Sequence, residues 1–310
     1  MMLNRADQTL AIRALKSAAP YIRMYKGKTF VVKAGGGVFG DTESTRVLVE
    51  QIAILHYFGV RVVMVHGGGP QVTELQTALG AEARMVHGRR VTDAKSIDIT
   101  AMVLSGLINT RILSICRQLN IDAVGVSGVD AGLIRAHRRA PVKLDDGQTV
   151  DYGFVGDVDA VDTTVIKKLL DNGLMPVVSP LSADENGTLL NINADTVAAA
   201  IGAALDAEKL ILCTGAPGIL ENIEDATSLI SYTDLKGLKR LKDEKRIVEG
   251  MLPKAKAIEE ALRGGVRRVH VVSYKSPEGI LGEVFTNEGT GTLIVADVNA
   301  IPPNEQQASG

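Results

Sequence analysis

The sequence predicts an α/β protein: a three-layer αβα sandwich in which helices cover both faces of a central, mostly parallel β-sheet. Short runs rich in valine and isoleucine alternate with longer segments of helical period almost from end to end. The runs are nearly continuously apolar, as expected for strands that are buried on both faces of a sheet. Such βαβ alternation is typical of doubly wound parallel sheets.

Two kinds of segment repeat along the chain. The predicted strands cover residues 29–33, 60–65, 123–126, 175–179, 209–213 and 269–272. The predicted helices cover residues 43–57, 97–119, 163–172, 195–204 and 254–264. The alternation is interrupted at residues 142–156, where Asp146-Gly147 between alternating residues predicts a β-hairpin that stands off the sheet as a lid or a flap.

The chain divides into four segments. An apolar stripe at helical spacing predicts a helix within residues 1–27. Polar and glycine residues at 183–188 precede a new helix, and we expect them to separate a first domain (28–188) from a second (189–300). Residues 301–310 begin with Ile-Pro-Pro and are otherwise polar, so we expect a disordered tail there.

The composition excludes several classes of protein. Apolar residues make up 45% and charged residues 23%, as in ordinary globular domains. With 34 basic and 36 acidic residues the formal net charge is −2, and the chain has no long basic run, so nucleic acid is not an expected partner. Cys116 and Cys213 lie in apolar stretches, which favours a reducing compartment over a disulfide framework. No apolar stretch is expected to reach the roughly 18–20 residues of a membrane span, and the N-terminus lacks a signal-peptide pattern; a cytoplasmic location follows.

Two predicted strands run directly into glycine clusters. The first continues from Lys33 into Gly35-Gly36-Gly37, and the second from His66 into three glycines at 67–69. Ligands of open α/β sheets bind beyond the carboxyl ends of the strands, where glycine lets backbone N–H groups approach anionic oxygens closely. Two such turns after neighbouring strands predict an anion site.

Two nucleotide-binding motifs match this region only in part. Gly35, Gly37 and Gly40 fit G-x-G-x-x-G, but the following strand lacks the acidic residue that would hold a ribose. Residues 27–29, Gly-Lys-Thr, resemble the end of a P-loop, but they precede their strand, and Ile22 stands where that motif needs a glycine. The sequence therefore argues against both a Rossmann-type and a Walker-type nucleotide site.

Charged residues near these loops suit phosphoryl transfer. Lys33 precedes the first glycine loop, and Lys254 follows Pro253 in the first turn of a predicted helix. Asp195 lies between them in sequence, where it can cap a helix or orient the two lysines; each lysine taken singly also fits a solvated surface side chain. Two ammonium groups with Mg²⁺ would neutralise the charge on a transferred phosphoryl group. An acceptor that is an ionised carboxylate, with a pKa of about 4, needs no general base.

Together these motifs resemble the amino acid kinase family, in particular its members that phosphorylate N-acetyl-L-glutamate. The resemblance runs from about residue 21 to residue 295 and rests on six ordered signatures: Lys33-Ala-Gly-Gly, Val65-His-Gly-Gly-Gly-Pro70, Arg90-Val-Thr-Asp93, Val124-Gly-Val-Ser-Gly128, Asn191-Ile-Asn-Ala-Asp195 and Gly250-Met-Leu-Pro-Lys254. It implies that ATP with Mg²⁺ phosphorylates the side-chain carboxylate of N-acetyl-L-glutamate, the second step of arginine biosynthesis.

The resemblance also implies roles for individual residues. The implied residues are Lys33, Asp195 and Lys254 for catalysis, Gly68, Gly69, Arg90 and Asn191 for the acyl substrate, and Gly35, Gly36, Thr214 and Gly218 for the nucleotide. The first domain would bind acetylglutamate under the 142–156 hairpin, and the second domain would bind ATP. No metal held by protein side chains and no tightly bound cofactor are expected.

The N-terminal segment carries implications for regulation. An added helix before residues 26–29 is similar to that of arginine-inhibited family members, in which it interlaces dimers into a hexamer; a helix that packs on its own domain is the alternative. Tyr21, Glu283 and Gly289 match positions of the arginine site in those members. The resemblance thus implies inhibition by arginine, a hexamer built as a trimer of dimers, and, as for some members, a PII-type regulator.

The sequence departs from the family pattern at three places. Gly215 follows Thr214 where an aspartate is usual, which puts the expected ATP contact in doubt. Residues 273–282 lack the usual Asp-Gly-Arg and His near the arginine site, and Ala34 stands where tyrosine is common in the first glycine loop.

Two other functions stay open. A sister kinase that acts on carrier-linked aminoadipate or glutamate would need a basic face, for which residues 135–139 are a candidate, although such a cluster is also typical of a solvated hairpin edge. The intact Asn191-Ile-Asn193 favours the small acetylated substrate. A non-catalytic arginine-sensing module is favoured by Gly215, whereas the two lysines and the aspartate of the catalytic set argue against it.

Overall fold

The structure, a computed structural model, describes residues 5–81, 84–86, 89–144, 147–225, 227–247 and 249–300. The α-helices are α1 (Arg5–Tyr25), α2 (Thr42–Tyr57), α3 (Gly69–Ala78), α4 (Ala94–Ala101), α5 (Asn109–Gln118), α6 (Thr164–Asp171), α7 (Ala194–Ala204), α8 (Leu235–Asp243), α9 (Leu252–Arg263) and α10 (Gly279–Phe285). The predicted tail at 301–310 and Asp146 of the predicted hairpin lie outside the described residues.

The strands form one large sheet and three smaller ones. They are β1 (Thr29–Ala34), β2 (Arg61–His66), β3 (Met85–Val86), β4 (Arg89–Arg90), β5 (Ala123–Ser127), β6 (Ile134–Arg138), β7 (Val142–Lys143), β8 (Thr149–Val150), β9 (Gly156–Val161), β10 (Met175–Ser179), β11 (Leu181–Ala183), β12 (Leu189–Asn191), β13 (Lys209–Thr214), β14 (Tyr232–Asp234), β15 (Arg268–Ser273) and β16 (Thr292–Val295). The large sheet has eight strands in the order β14-β16-β15-β13-β1-β2-β10-β5.

The central sheet confirms the predicted fold class. Its neighbouring strands are parallel except for the antiparallel pair β15 and β16. All six predicted strands are present in it, within one residue at either end. Separate apolar clusters cover its two faces, one built largely with α2 and α5 and the other with α7 and α9. The architecture is therefore a three-layer αβα sandwich.

The register of β1 aligns the two glycine loops. Ala34 pairs with His66 of β2 on one side and with Cys213 of β13 on the other. The N–H of Gly67 donates to the carbonyl of Ala34 at 2.8 Å, so the second loop begins beside the first. From β1, the sheet is extended on one side by β2 and β10 of the first proposed domain and on the other side by β13 and β15 of the second. The loops therefore lie where the strand order reverses, which is the usual place of a ligand site in such sheets.

A second sheet, which the sequence did not predict, lies beside this edge. It has four strands in the order β12-β11-β6-β9, and the predicted hairpin extends from it as the short pair β7 and β8. The expected domain boundary, residues 183–188, begins at the last residue of β11, and residues 184–188 form the turn between β11 and β12. The N–H of Asp184 donates to the Thr188 carbonyl at 3.0 Å and closes this turn. The central sheet itself continues unbroken through strands of both proposed domains.

The predicted helix 97–119 is a continuous helical run with an irregular centre. Between α4 and α5 lies a π-helical stretch, Met102–Ile108. By length and composition the run from Ala94 to Gln118 would suffice to cross a membrane, contrary to the expectation that no such stretch exists. Half of its 18-residue apolar window is buried inside the protein, however, and the core helix of a globular domain has the same length and composition.

Helix α1 is anchored at one end only. Tyr25 is buried and packs edge-to-face on Phe30, with their ring centroids 5.2 Å apart. The apolar stripe nearer the N-terminus is uncovered: Leu10 is 68% exposed and Leu15 is 58% exposed. The alternative that α1 packs along its own domain therefore holds only for its last turns.

Glycine is required where the segment after β8 meets Thr92. Gly153 has φ +72°, and a Cβ there would lie 2.2 Å from the Thr92 carbonyl oxygen. We expect Gly153→Ala to lower the free energy of unfolding by roughly 2–3 kcal/mol. Gly147→Ala is the control, because Gly147 also has a positive φ, +85°, but a Cβ there meets nothing within 4 Å; its cost should be about 1 kcal/mol. Urea unfolding of both variants measures this, and equal losses would contradict the predicted clash.

Candidate active site

Three charged side chains from three elements meet at the carboxyl end of β1. Lys33 Nζ, from β1, lies 2.7 Å from Asp195 Oδ1, and Lys254 Nζ, from the first turn of α9, lies 2.9 Å from Asp195 Oδ2. Pro253 occupies the second position of α9, as expected for a proline that starts a helix. One carboxylate thus holds two ammonium groups in fixed positions.

The cluster is almost fully withdrawn from solvent. The exposed fractions of the Lys33, Asp195 and Lys254 side chains are 6%, 7% and 14%. Burial lowers the pKa of Lys33, while the Asp195 charge raises it. Burial raises the pKa of Asp195, but the charges of the two lysines outweigh this and hold it below its usual value. Asp195 is therefore ionised at neutral pH and neutralises part of the positive charge.

The structure decides between the two roles considered for Asp195. The N-cap of α7 is Asn193, whose Oδ1 accepts hydrogen bonds from the N–H groups of Asp195 at 2.8 Å and Thr196 at 3.2 Å. Asp195 itself lies in the first turn, so its side chain is free to turn toward the lysines. The helix-cap interpretation of Asp195 is wrong, and the lysine-orienting one matches the geometry.

A cavity of about 930 Å³ opens in front of this cluster. Lys33 and Asp195 line it together with both glycine loops, as do Tyr152 and Val155 from the segment after β8. The predicted residues that the structure brings to this cavity are Lys33, Gly35, Gly36, Gly68, Gly69, Arg90, Asn191 and Asp195. Lys254 reaches it through its bond to Asp195.

Arg90 and Asn191 stand on the side of the cavity nearest the second glycine loop. Two guanidinium nitrogens of Arg90 donate to the Gly69 carbonyl at 3.0 Å, to Thr73 Oγ1 at 2.5 Å, and to Gln76. Asn191 Nδ2 donates to Thr92 Oγ1 at 3.4 Å. These contacts fix Arg90 against α3 at the wall of the cavity.

Of the four predicted nucleotide residues, Gly35 and Gly36 line the cavity, whereas Thr214 and Gly218 do not. Gly35 lies against Lys33, since a Cβ on Gly35 would be 3.7 Å from its Nζ. Thr214 and Gly218 lie beyond the cavity: the Thr214 carbonyl accepts the N–H of Tyr274 at 2.9 Å, and Gly218 packs on Thr292. The Tyr274 hydroxyl lies 3.3 Å from where a Cβ on Gly215 would be, so it borders the space of the usual aspartate.

Polar residues that the sequence did not single out support the second glycine loop. Asn109 Nδ2 donates to His66 Nε2 at 3.2 Å and to the Val177 carbonyl at 3.0 Å, and His66 Nδ1 lies 3.2 Å from the Gly67 carbonyl. Burial lowers the pKa of His66 to about 4, so its ring is neutral and can both donate and accept. His66 belongs to one of the six signatures, but its contact with Asn109 of α5 depends on tertiary packing and could not be predicted from the sequence.

A second pocket of about 210 Å³ lies at the opposite end of the strands. Tyr21, Glu283 and Gly289, the three predicted arginine-site residues, all line it. Glu283 Oε1 accepts from His270 Nδ1 at 2.7 Å, and its Oε2 accepts the N–H groups of residues 290 and 291. Burial raises the pKa of Glu283, but these hydrogen bonds and the His270 interaction lower it to about 2. Glu283 is therefore ionised at neutral pH, in a pocket that Lys209 and Arg268 also line.

The fold and site define the class of protein. Two lysines held by one carboxylate beside two glycine loops are an arrangement suited to phosphoryl transfer, on a sheet whose ligand edge lies at its switch point. Residues 28–273 match the amino acid kinase family, and the chain belongs to that family.

Within the family, the resemblance inferred from the signatures is confirmed. The chain is 46% identical to an acetylglutamate kinase of Myxococcus xanthus, over 94% of this chain and 96% of the relative. It is 44% identical to an acetylglutamate kinase of Symbiobacterium thermophilum, over 91% of this chain and 96% of the relative. The chain is an enzyme of this group.

Solved structures agree on the fold. N-acetylglutamate synthase from Neisseria gonorrhoeae, complexed with coenzyme A and N-acetyl-glutamate, superposes with a TM-score of 0.81 at 25% identity, over 93% of this chain and 64% of that chain. The same synthase complexed with coenzyme A and L-arginine gives a TM-score of 0.79 at 25% identity, over 92% and 65% of the two chains. Carbamate kinase from Giardia, at 18% identity and a TM-score of 0.62 over 87% and 99%, shares the fold.

Proposed function

We propose that the protein transfers the γ-phosphoryl group of ATP to the side-chain carboxylate of N-acetyl-L-glutamate. A carboxylate oxygen attacks the γ-phosphorus, the bond to the β–γ bridging oxygen breaks, and ADP leaves with that oxygen while N-acetyl-L-glutamyl 5-phosphate forms. The observation that carries the proposal is the Lys33–Asp195–Lys254 cluster beside two glycine loops. The two ammonium groups stabilise the negative charge of the transition state.

The acyl substrate is assigned to the side of the cavity built by the first domain. Gly68 and Gly69 would bind the reacting carboxylate through N–H groups, Arg90 would pair with the α-carboxylate, and Asn191 would bond the acetylated amide. Tyr152 and Val155 line the same side, which supports the 142–156 hairpin as a lid over the substrate. Of the basic cluster at residues 135–139, Arg139 lines the same cavity and is paired with Asp157.

The nucleotide is assigned to the second domain, 189–300, and to the first glycine loop. Gly35 and Gly36 would contact the transferred phosphoryl group beside Lys33, and Thr214 and Gly218 would lie under the rest of ATP. Mg²⁺ would enter with ATP as part of the co-substrate. Among the described residues no group of three or more His, Cys, Asp or Glu side chains is placed to hold a metal ion.

Trapping of the acyl phosphate tests the function. The protein is incubated with MgATP and N-acetylglutamate, and hydroxylamine converts any acyl phosphate to a coloured hydroxamate; aminoadipate and glutamate are assayed in parallel. We expect colour with N-acetylglutamate alone, which would also show that Gly215 is tolerated. No colour with any substrate while arginine still binds would favour a sensing module, and colour with aminoadipate would favour the sister kinase.

We further propose that arginine binds in the second pocket and inhibits the enzyme. The negative charge of Glu283 and its position beside Tyr21 and Gly289 support a cationic amino acid as the ligand. We expect millimolar arginine to lower the rate, and Glu283→Gln to raise the half-inhibiting concentration by about 10–100-fold, because a charged hydrogen bond is lost. Glu278→Gln, exposed at the start of the same helix, is the control. Unchanged inhibition in Glu283→Gln would refute the assignment.

We also propose that the uncovered stripe of α1 binds α1 of a second copy, as in a hexamer assembled as a trimer of dimers. Exposed Leu10 and Leu15 supply the apolar surface for this contact. We expect the double variant Leu10→Glu, Leu15→Glu to fall to a smaller oligomer in light scattering, with its helix content unchanged. An unchanged mass would contradict the assignment. We propose in addition that the enzyme is located in the cytoplasm and that a PII-type protein regulates it.

A further inference from the structure

The two glycine loops are in direct contact with one another. A Cβ on Gly36 would lie 3.0 Å from the Gly68 Cα and 2.6 Å from Pro70 Cδ, so residue 36 can only be glycine without a shift of the second loop. The loops are therefore packed together as two backbones with no side chain between them. Their relative position is sensitive to small displacements, since dense packing transmits strain.

Gln71 joins the loops from the first turn of α3. Its Nε2 donates to the Gly36 carbonyl at 2.8 Å, and the residue is only 7% exposed. Its Oε1 is buried without a hydrogen-bond partner and lies 3.0 Å from where a Cβ on Gly36 would be. Gln71 is not one of the residues that line the cavity, so it acts on the site through Gly36.

The chemistry of this contact indicates what the position needs. The orientation of the amide is determined, because the Gly36 carbonyl can only accept and must face the nitrogen. A buried amide oxygen without a partner costs free energy that an apolar side chain of the same size would not incur. An apolar side chain would therefore fill this space at a lower cost in free energy, whereas only a side chain with a donor can make the hydrogen bond to the Gly36 carbonyl.

We propose that Gln71 is a positioning residue for phosphoryl transfer, which holds the first glycine loop in register with the second through the Nε2–Gly36 hydrogen bond. The inference rests on the proposed function, in which the first loop faces the transferred phosphoryl group and the second faces the acceptor carboxylate. Each loop binds its own ligand, so a shift between the loops leaves both ground-state affinities nearly intact. The shift misaligns the phosphoryl donor and the acceptor carboxylate in the transition state, and such misalignment lowers kcat.

The test compares two substitutions of buried glutamines. Gln71→Met keeps the length of the side chain and removes the donor, and we expect kcat to fall about 10–100-fold with the KM values for ATP and N-acetylglutamate within about twofold of wild type. Gln51→Met is the matched control: Gln51 is equally buried and its Oε1 accepts the N–H of Ile280 at 2.9 Å, far from the loops. We expect it to lower Tm and to leave kcat unchanged.

The outcomes separate the possible failures. Full kcat in Gln71→Met, or a loss that appears as raised KM values with a lowered Tm, overturns the positioning role. If Gln71→Met does not fold, Gln71→Asn keeps the amide but is too short to reach Gly36, and the same fall in kcat is expected of it. Absence of acyl phosphate from the wild-type protein overturns the proposed function itself, a result distinct from any difference between variants.

Discussion

Replacement of Lys33 by methionine is expected to lower kcat by about 10²–10³-fold and to leave the fold intact. The Lys33 ammonium is buried, lies beside Gly35 and faces the cavity, so water cannot replace it as a partner of the transferred phosphoryl group. Removal of one preorganised donor of this kind typically costs 10²–10³ in rate. Methionine fills a similar volume, and Asp195 keeps its bond to Lys254, so no charge is left buried alone.

Steady-state rates of acyl phosphate formation would measure the fall in kcat, and Tm values of the same preparations would show whether the fold is intact. Lys28→Met is the control, because Lys28 is exposed and stands just before the same strand. Its rate should lie within twofold of wild type. A Lys33→Met enzyme with more than a tenth of the wild-type rate would contradict the role of Lys33 in the transition state.

Asp195→Asn is expected to affect stability as well as rate. Lys33 and Lys254 would lose their shared counter-charge while remaining buried, and breaking a buried ion pair from one side costs roughly 3–5 kcal/mol. The rate should fall at least as far as in Lys33→Met, because the two ammonium groups would repel each other and lose their fixed geometry.

The loss in Asp195→Asn should depend on pH in a defined direction. The Asp195 charge raises the pKa of Lys33, so its removal lowers that pKa further below the unfolded value. Between the folded and unfolded pKa values the unfolded chain binds more protons, and the free energy of unfolding therefore rises with pH in that window. Urea unfolding should show the largest deficit of the variant near neutral pH and a smaller one as pH approaches 10. The alkaline limb of the rate profile should move to lower pH, and an equal deficit at all pH values would contradict the coupling.

Much of the central sheet was predictable, because buried parallel strands are local apolar runs. The glycine loops were predictable for the same reason, since each follows its strand directly. The lysines and the aspartate could be named from sequence, but their meeting depends on the register of β1 with β13 and on the packing of α7 on α9, which no local pattern contains. The cap on α7 shows the limit: Asn193 and Asp195 are both good capping residues, and only the geometry chose between them.

Other features were missed because their signals are weak or long-range. The second sheet is built from strands of three to six residues, and its strand β6 pairs with β9 and β11 across many intervening residues. Gln71 directly follows a signature but has no sequence mark of its own, because its role is set by the distance to Gly36. The apolar length of the helical run 94–118 was underestimated, because a few polar residues interrupt it in the sequence. How much of this run is buried depends on tertiary packing, which the sequence does not show.

The two pockets open at opposite ends of the same strands. Lys209, the first residue of β13, lines the second pocket, whereas Cys213 near the end of that strand pairs with Ala34 beside the catalytic loops. The six residues of β13 span about 17 Å from first to last, so a ligand in the second pocket cannot compete for space with the substrates. Its influence must be a coupling free energy, which is reciprocal. If arginine weakens the binding of N-acetylglutamate by some factor, N-acetylglutamate weakens the binding of arginine by the same factor, and abundant substrate will desensitise the enzyme to its own inhibitor.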